Sequence, residues 1–250
     1  MTLQDIYPVC LRSDCQRMTS NMDTQCSLVR RILRAGAGLL LLGLTAQTEL
    51  QEPFGLPTFV VADGLLHATW EDLREDIEAD RTVIARCRAR PEDCSSPAAL
   101  RFIAIVDEGQ LHQGLARIGH INRAVNLSIR GIKNSAPSDW SSPLAALTDG
   151  AGDCKQHAIL KYAALRDVGL SPDSVRIVIV EDRVLRQKHA LVAVREEGRW
   201  IFLNNHSAVL AEGDQLAKRY TPLNVLDHVG VRAFMLPSFQ VQTGSGSDGG

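Results

Sequence analysis

The sequence lacks an excess of charge of either sign. Its 27 lysines and arginines nearly cancel its 29 aspartates and glutamates, giving a formal net charge of −2 with the two signs interspersed. It therefore has no basic stripe of the kind a phosphate backbone attracts, and nucleic acid is not an expected partner. No segment repeats internally. No second cysteine and no carboxylate pair lies at ligand spacing near Cys154 and His157. Zinc on that Cys-x-x-His turn, completed by His189 or His206, is thus a minor reading, and no metal site is expected. The longest apolar stretch, residues 30–46, is too short to span a bilayer comfortably.

That stretch opens Arg-Arg-Ile-Leu-Arg, continues through apolar or small residues and ends near Ala46. It reads as a secretory signal, with Leu44 standing where a small residue is preferred; an uncleaved anchor is the alternative. Met18 or Met22 would make a more ordinary start. The expected division is a leader over 1–48, one domain over 49–241 and a flexible tail over 242–250, with no membrane span in the mature form. Removing the leader removes Cys10, Cys15 and Cys26. In an oxidising compartment Cys87 and Cys94 can then close a small loop, leaving Cys154 as the odd thiol.

Beyond a Pro- and Gly-punctuated lead-in with a short apolar Phe59-Val60-Val61, three helices are expected. Leu66, Trp70, Leu73, Ile77, Ile84 and Cys87 recur at helical steps. Ser96 and Pro97 open a second helix from Ala98 to about Val106. Leu111, Leu115, Ile118, Ile121, Val125, Ile129 and Ile132 hold one face of a third. A loop over 134–149 follows, with Trp140, Pro143 and a short helical stretch from Leu144 to Leu147. After residue 170 the pattern turns strand-like, in Val175–Val180, in a hairpin of His189–Arg195 with Arg199–Asn204, and in Tyr220–Leu226. Helices first and antiparallel sheet afterwards argue for an α+β fold.

Between the two halves lies Asp149-Gly-Ala-Gly-Asp-Cys154, a glycine-rich loop that runs into a helix closed by Gly169. Cys154 falls at the mouth of that helix, with Asp153 as a good N-cap, where unpaired N–H groups lower a thiol pKa. A thiolate needs a base, and the base needs a third group to fix its ring. His189, at a strand end with Leu191, Ala193 and Arg195 on its face, is the best-placed base. If the hairpin closes with a two- or four-residue loop centred on Glu197 and Gly198, Arg195 lies opposite Trp200 and Leu191 opposite Asn204, so Asn204 is diagonal to His189. A three-residue loop would substitute Asn205. Trp140 would either wall the cleft or anchor the core.

Gly152-Asp-Cys154 opening a helix with Ala158 and Tyr162-Ala-Ala-Leu-Arg166, the strand His189-Ala-Leu-Val-Ala-Val194, and Leu203-Asn-Asn205 resemble the bacterial transglutaminase-like cysteine peptidases, the LapG-like group. Ile121-Asn-Arg-Ala-Val-Asn126 and Trp140-Ser-Ser-Pro143 extend the resemblance to about residues 52–240. It implies a papain-like or transglutaminase-like core, with the Cys helix packed on the sheet, and an exported protein whose Cys-His-Asp triad hydrolyses peptide bonds. The best-understood members release surface adhesins and so control biofilm. Position by position, Cys154 is the nucleophile and His189 the base.

The chain departs from that pattern twice. Asn204 stands where the family usually has Asp; an amide can hold the ring but gives less electrostatic support to the imidazolium. Lys155 and Gln156 occupy positions where adhesin-cleaving members carry acidic calcium ligands. Calcium is therefore doubtful, with Asp149 and Asp153 alone making a weak site, and no cofactor is expected. The expected activity is exported thiol hydrolysis of a protein or peptide substrate by Cys154, His189 and Asn204. The rivals are a catalytically drifted binding module and a transamidase or amidase built on the same residues.

Overall fold

The computed structural model describes residues 52–133 and 140–236. The expected leader with its three cysteines and the expected tail lie outside those residues. The predicted apolar stripes become helices α1 (Leu65–Ala89), α2 (Pro97–Gln110) and α3 (Gly114–Ser128). In α1 the stripe Trp70, Leu73, Ile77, Ile84 and Cys87 is buried, each large side chain contributing roughly 1.5–3 kcal/mol. Trp70 also donates its Nε1–H to the Asp227 carbonyl at 2.9 Å. The Cys87–Cys94 disulfide ties the end of α1 to the turn before α2. Ser96 caps α2 by accepting the Ala99 N–H at 3.2 Å.

α3 is shorter than its pattern suggests. Leu111 caps α2 and is 82% exposed, and Ile132 is 40% exposed. Two tertiary demands cut the pattern. At the first end α2 must cross α3 closely: a Cβ on Gly109 would meet Ile121 Cδ1 at 2.8 Å. At the second, the chain leaves the helix at Ile129 to form β2 (Arg130–Gly131), which pairs in parallel with β3 (Ala151–Gly152). That pairing fixes the backbone just before Cys154. Between them, α4 (Pro143–Asp149) starts on the Ser142 cap, which accepts the Ala145 N–H.

α5 (Cys154–Asp167) is buried along most of its length and packs on a seven-stranded antiparallel sheet. The sheet consists of β1 (Thr58–Val60), β4 (Val175–Asp182), β5 (Gln187–Glu196), β6 (Arg199–Asn204), β7 (Ser207–Glu212), β8 (Tyr220–Leu226) and β9 (Val231–Phe234), in the order β1-β9-β8-β4-β5-β6-β7. Phe59-Val60, expected in a lead-in, instead forms part of an edge strand against β9. Ala190, Val192 and Val194 join the helical core. Leu191, Ala193, Phe202 and Tyr220 form a second core on the opposite face, covered by Phe54, Leu56 and Leu216 from α6 (Gly213–Leu216). Period-2 alternation thus places His189 in the Leu191 row, facing away from the helices. The fold is α+β, with the Cys helix on an antiparallel sheet.

Candidate active site

The mouth of α5 is built by its cap. Asp153 Oδ1 accepts the Lys155 N–H at 2.8 Å, and Gln156 Oε1 accepts the Asp153 N–H at 3.0 Å, so a capping box satisfies two otherwise free donors. A side chain at Gly152 would collide with this box, its Cβ falling 2.5 Å from Gln156 Cβ. Asp153 Oδ2 also takes the Lys155 ammonium at 2.5 Å, and both side chains are largely buried. Asp149 ends α4, exposed. Of the two weak calcium candidates, Asp153 is thus engaged by the chain's own cation. Among the described residues no group of three or more His, Cys, Asp or Glu side chains is placed to hold a metal ion. His157 is spent on structure, its Nδ1 lying 2.8 Å from the Asp153 carbonyl.

Cys154 and His189 line one cleft of about 560 Å³, walled by Leu65, Leu66, Trp140 and Lys155. Trp140 also packs against the helical core, so both jobs expected of it fall to one side chain. Burial pushes the Cys154 thiol up, and the Asp153 carboxylate adds to this; the Ala190 N–H and the Lys155 ammonium pull it down, with burial the largest influence. The helix mouth therefore does not deliver the lowered pKa expected of it. Burial also pushes His189 down to about 4, against the opposing bond to Asn204. Both shifts favour the uncharged forms, thiol and neutral imidazole. No hydrogen bond joins Cys154 to His189 among the described residues; the backbone of Ala190, next to His189 in β5, is what pulls the thiol pKa down most.

The hairpin turns on two residues, Glu197 and Gly198, with φ of 50° and 80°, and Glu196 opposes Arg199. Both φ values suit the tight turn that matches strand twist. The register is Arg195 opposite Trp200 and Val192 opposite Leu203, which makes Asn204 the diagonal neighbour of His189 rather than Asn205. Asn204 Oδ1 lies 3.2 Å from His189 Nε2 and accepts the His206 N–H at 3.0 Å, while Asn204 Nδ2 meets the Tyr220 hydroxyl at 3.4 Å. The His189 ring stacks with both Tyr220 (5.9 Å, 18°) and His206 (5.3 Å, 13°), and the Arg219 guanidinium lies over the Tyr220 ring at 5.2 Å. From α3, Asn126 Nδ2 donates to the Asn204 carbonyl (3.0 Å) and Asn122 Nδ2 to that of Ser207 (3.0 Å). These amides pin the turn that carries Asn204.

Sequence reasoning did not find the Tyr220 stack or the α3 amides. Asn122 and Asn126 stand one helical turn apart, which was the available signal. Tyr220 carried none, because its approach to His189 crosses the intervening strand β4.

The family model described as bacterial transglutaminase-like cysteine proteinase BTLCP matches residues 79–221. Legionella pneumophila LapG is similar in structure, with a TM-score of 0.51 and 18% identity over 62% of this chain and 87% of that one. Its calcium-bound form gives a TM-score of 0.52 and 18% identity over 64% and 93%. At this identity the likeness concerns the fold. No curated protein matches the chain.

Proposed function

Because the chain belongs to the bacterial transglutaminase-like cysteine proteinases, we propose that it is an exported cysteine peptidase that cleaves a protein substrate with Cys154 as nucleophile, His189 as base and Asn204 as the group that orients the base. The observation that carries this reading is the shared cleft, lined both by a thiol at a helix mouth and by an imidazole whose Nε2 lies 3.2 Å from Asn204 Oδ1. With both partners neutral at rest, the thiol proton moves to His189 Nδ1 as sulfur attacks the scissile carbonyl carbon. The backbone N–H of Cys154 donates to the oxyanion. His189 then returns the proton to the departing amine, leaving a thioester. Water attacks the thioester, loses its proton to His189 and releases the acid and the thiol. The two side chains must approach one another when substrate fills the cleft.

Export is supported by the Cys87–Cys94 disulfide. Calcium was bound in a LapG structure; here Asp153 at the helix mouth is paired with Lys155, and no step is routed through a metal. The test compares new protein N-termini in an extracytoplasmic extract treated with the full-length chain or with Cys154→Ala. Termini that require Cys154 support a peptidase. Their absence supports a silent binding module, the reading that the neutral resting pair favours. Products that gain the mass of an added amine would indicate transamidation.

A further inference from the structure

His189 serves as a base only if the nitrogen toward the thiol carries a lone pair, and the direction of the Asn204 amide decides this. The inference rests on the triad reading above. Asn204 Oδ1 accepts the backbone N–H of His206 at 3.0 Å and lies 3.2 Å from His189 Nε2. A backbone N–H can only donate, so that corner of the amide must be its oxygen. An amide oxygen can only accept, so His189 Nε2 carries the proton and Nδ1 keeps its lone pair. The other end of the amide imposes no choice: Asn204 Nδ2 faces the Tyr220 hydroxyl, which can donate as well as accept. Reversed, the amide would set NH₂ against the His206 N–H and place the imidazole proton on Nδ1, where it could not receive the thiol proton.

We propose that His206 is a positioning residue of the site: its backbone N–H, by orienting Asn204, selects the Nε2–H tautomer of His189, while its ring only stacks. A carboxylate at position 204 would have no wrong end, so the requirement for this N–H follows from the asparagine. The geometry suits the role. Asn204 and His206 form a side-chain-to-backbone turn two residues apart, and the Asn126 amide holds that turn from below.

The test is the tautomer of His189, read by long-range ¹H–¹⁵N NMR on ¹⁵N-histidine-labelled full-length chain at pH 7, where the ring is neutral. The wild type should show Nε2–H, and His206→Ala, which keeps the N–H and removes the ring, should match it. His206→Pro removes the N–H and should give a mixture of tautomers; Asn204→Asp added to it should restore Nε2–H. A backbone ester at position 206 deletes the same N–H without the proline ring and should behave as the proline does. On a cleaved peptide, kcat should fall at least about tenfold in His206→Pro with KM unchanged, and recover in the double variant. An unchanged tautomer in both the proline and ester variants, or an equal loss in His206→Ala, overturns the proposal. So does a loss that persists undiminished beside Asp, which would indicate a distorted turn. Failure to find any Cys154-dependent cleavage would sink the peptidase reading and leave the tautomer result to be decided by itself.

Discussion

At Cys154 several influences compete, and burial outweighs what the helix mouth offers. Partial charges at a helix start stabilise an anion by about 0.3–1 kcal/mol when exposed, whereas here burial is the largest influence and raises the thiol pKa. Alkylation of resting Cys154 by iodoacetamide should therefore be slower at pH 7 than that of a free cysteine and should keep rising beyond pH 9, followed by mass spectrometry. A rate already level below pH 8 would contradict a neutral resting pair. The third member offers the complementary test. Asn204→Asp places a negative charge against His189 Nε2 and should lift the imidazole from about 4 toward the ordinary value near 6.5. The imidazolium formed during attack would be better supported, so kcat should rise. A ¹H–¹⁵N titration of His189 checks the shift, and an unmoved midpoint would mean that Asn204 does not govern the base.

Among the elements, the start of α5 shows how a local motif and a close approach depend on each other. The capping box requires Gln156 to fold back over Asp153, and Gly152 leaves the room for it. Gly152→Ala should cost about 2 kcal/mol, from overpacking and a weakened cap, as a lower urea midpoint at unchanged slope. An alanine that leaves the midpoint in place would show that the box can shift without cost. α3 shows the limit of periodicity. Ile118, Ile121 and Val125 obey the pattern and are buried, whereas Leu111 and Ile132 share the same spacing and lie outside the helix. Nothing in a stripe of apolar residues records where a crossing helix or a two-residue parallel pairing will interrupt it.

For the whole molecule, burial has a pH signature. Lys161 on α5 is 1% exposed, and burial pushes its pKa down to about 7. An unfolded lysine titrates near about 10.4. Between these values the unfolded chain holds a proton that the folded chain lacks, so folding stability rises with pH across that window, by at most about 1.4 kcal/mol per pH unit from this group. Below the folded value both states are protonated and the penalty is fully present. Lys161→Met should therefore stabilise the protein at pH 7 and flatten the rise between pH 7 and 10, measured by urea unfolding at each pH. An identical slope in the variant would mean that Lys161 keeps its proton on folding.

The sequence by itself determined the elements whose signals are local: the capped Cys154 helix, the strand hairpin and the disulfide pair, and it narrowed the partner of His189 to Asn204 or Asn205, between which the observed turn decided. Each depends on spacing along one short stretch of chain, where covalent geometry leaves few alternatives. Only the tertiary structure decided the rest. The end of α3, the edge strand at Thr58–Val60, the stacking of Tyr220 on His189 and the clamp from Asn122 and Asn126 join residues far apart in the chain. The ionisation of the candidate site belongs with these, because a pKa depends on what surrounds a group after packing, and burial reversed the direction that Cys154's place on its helix implied.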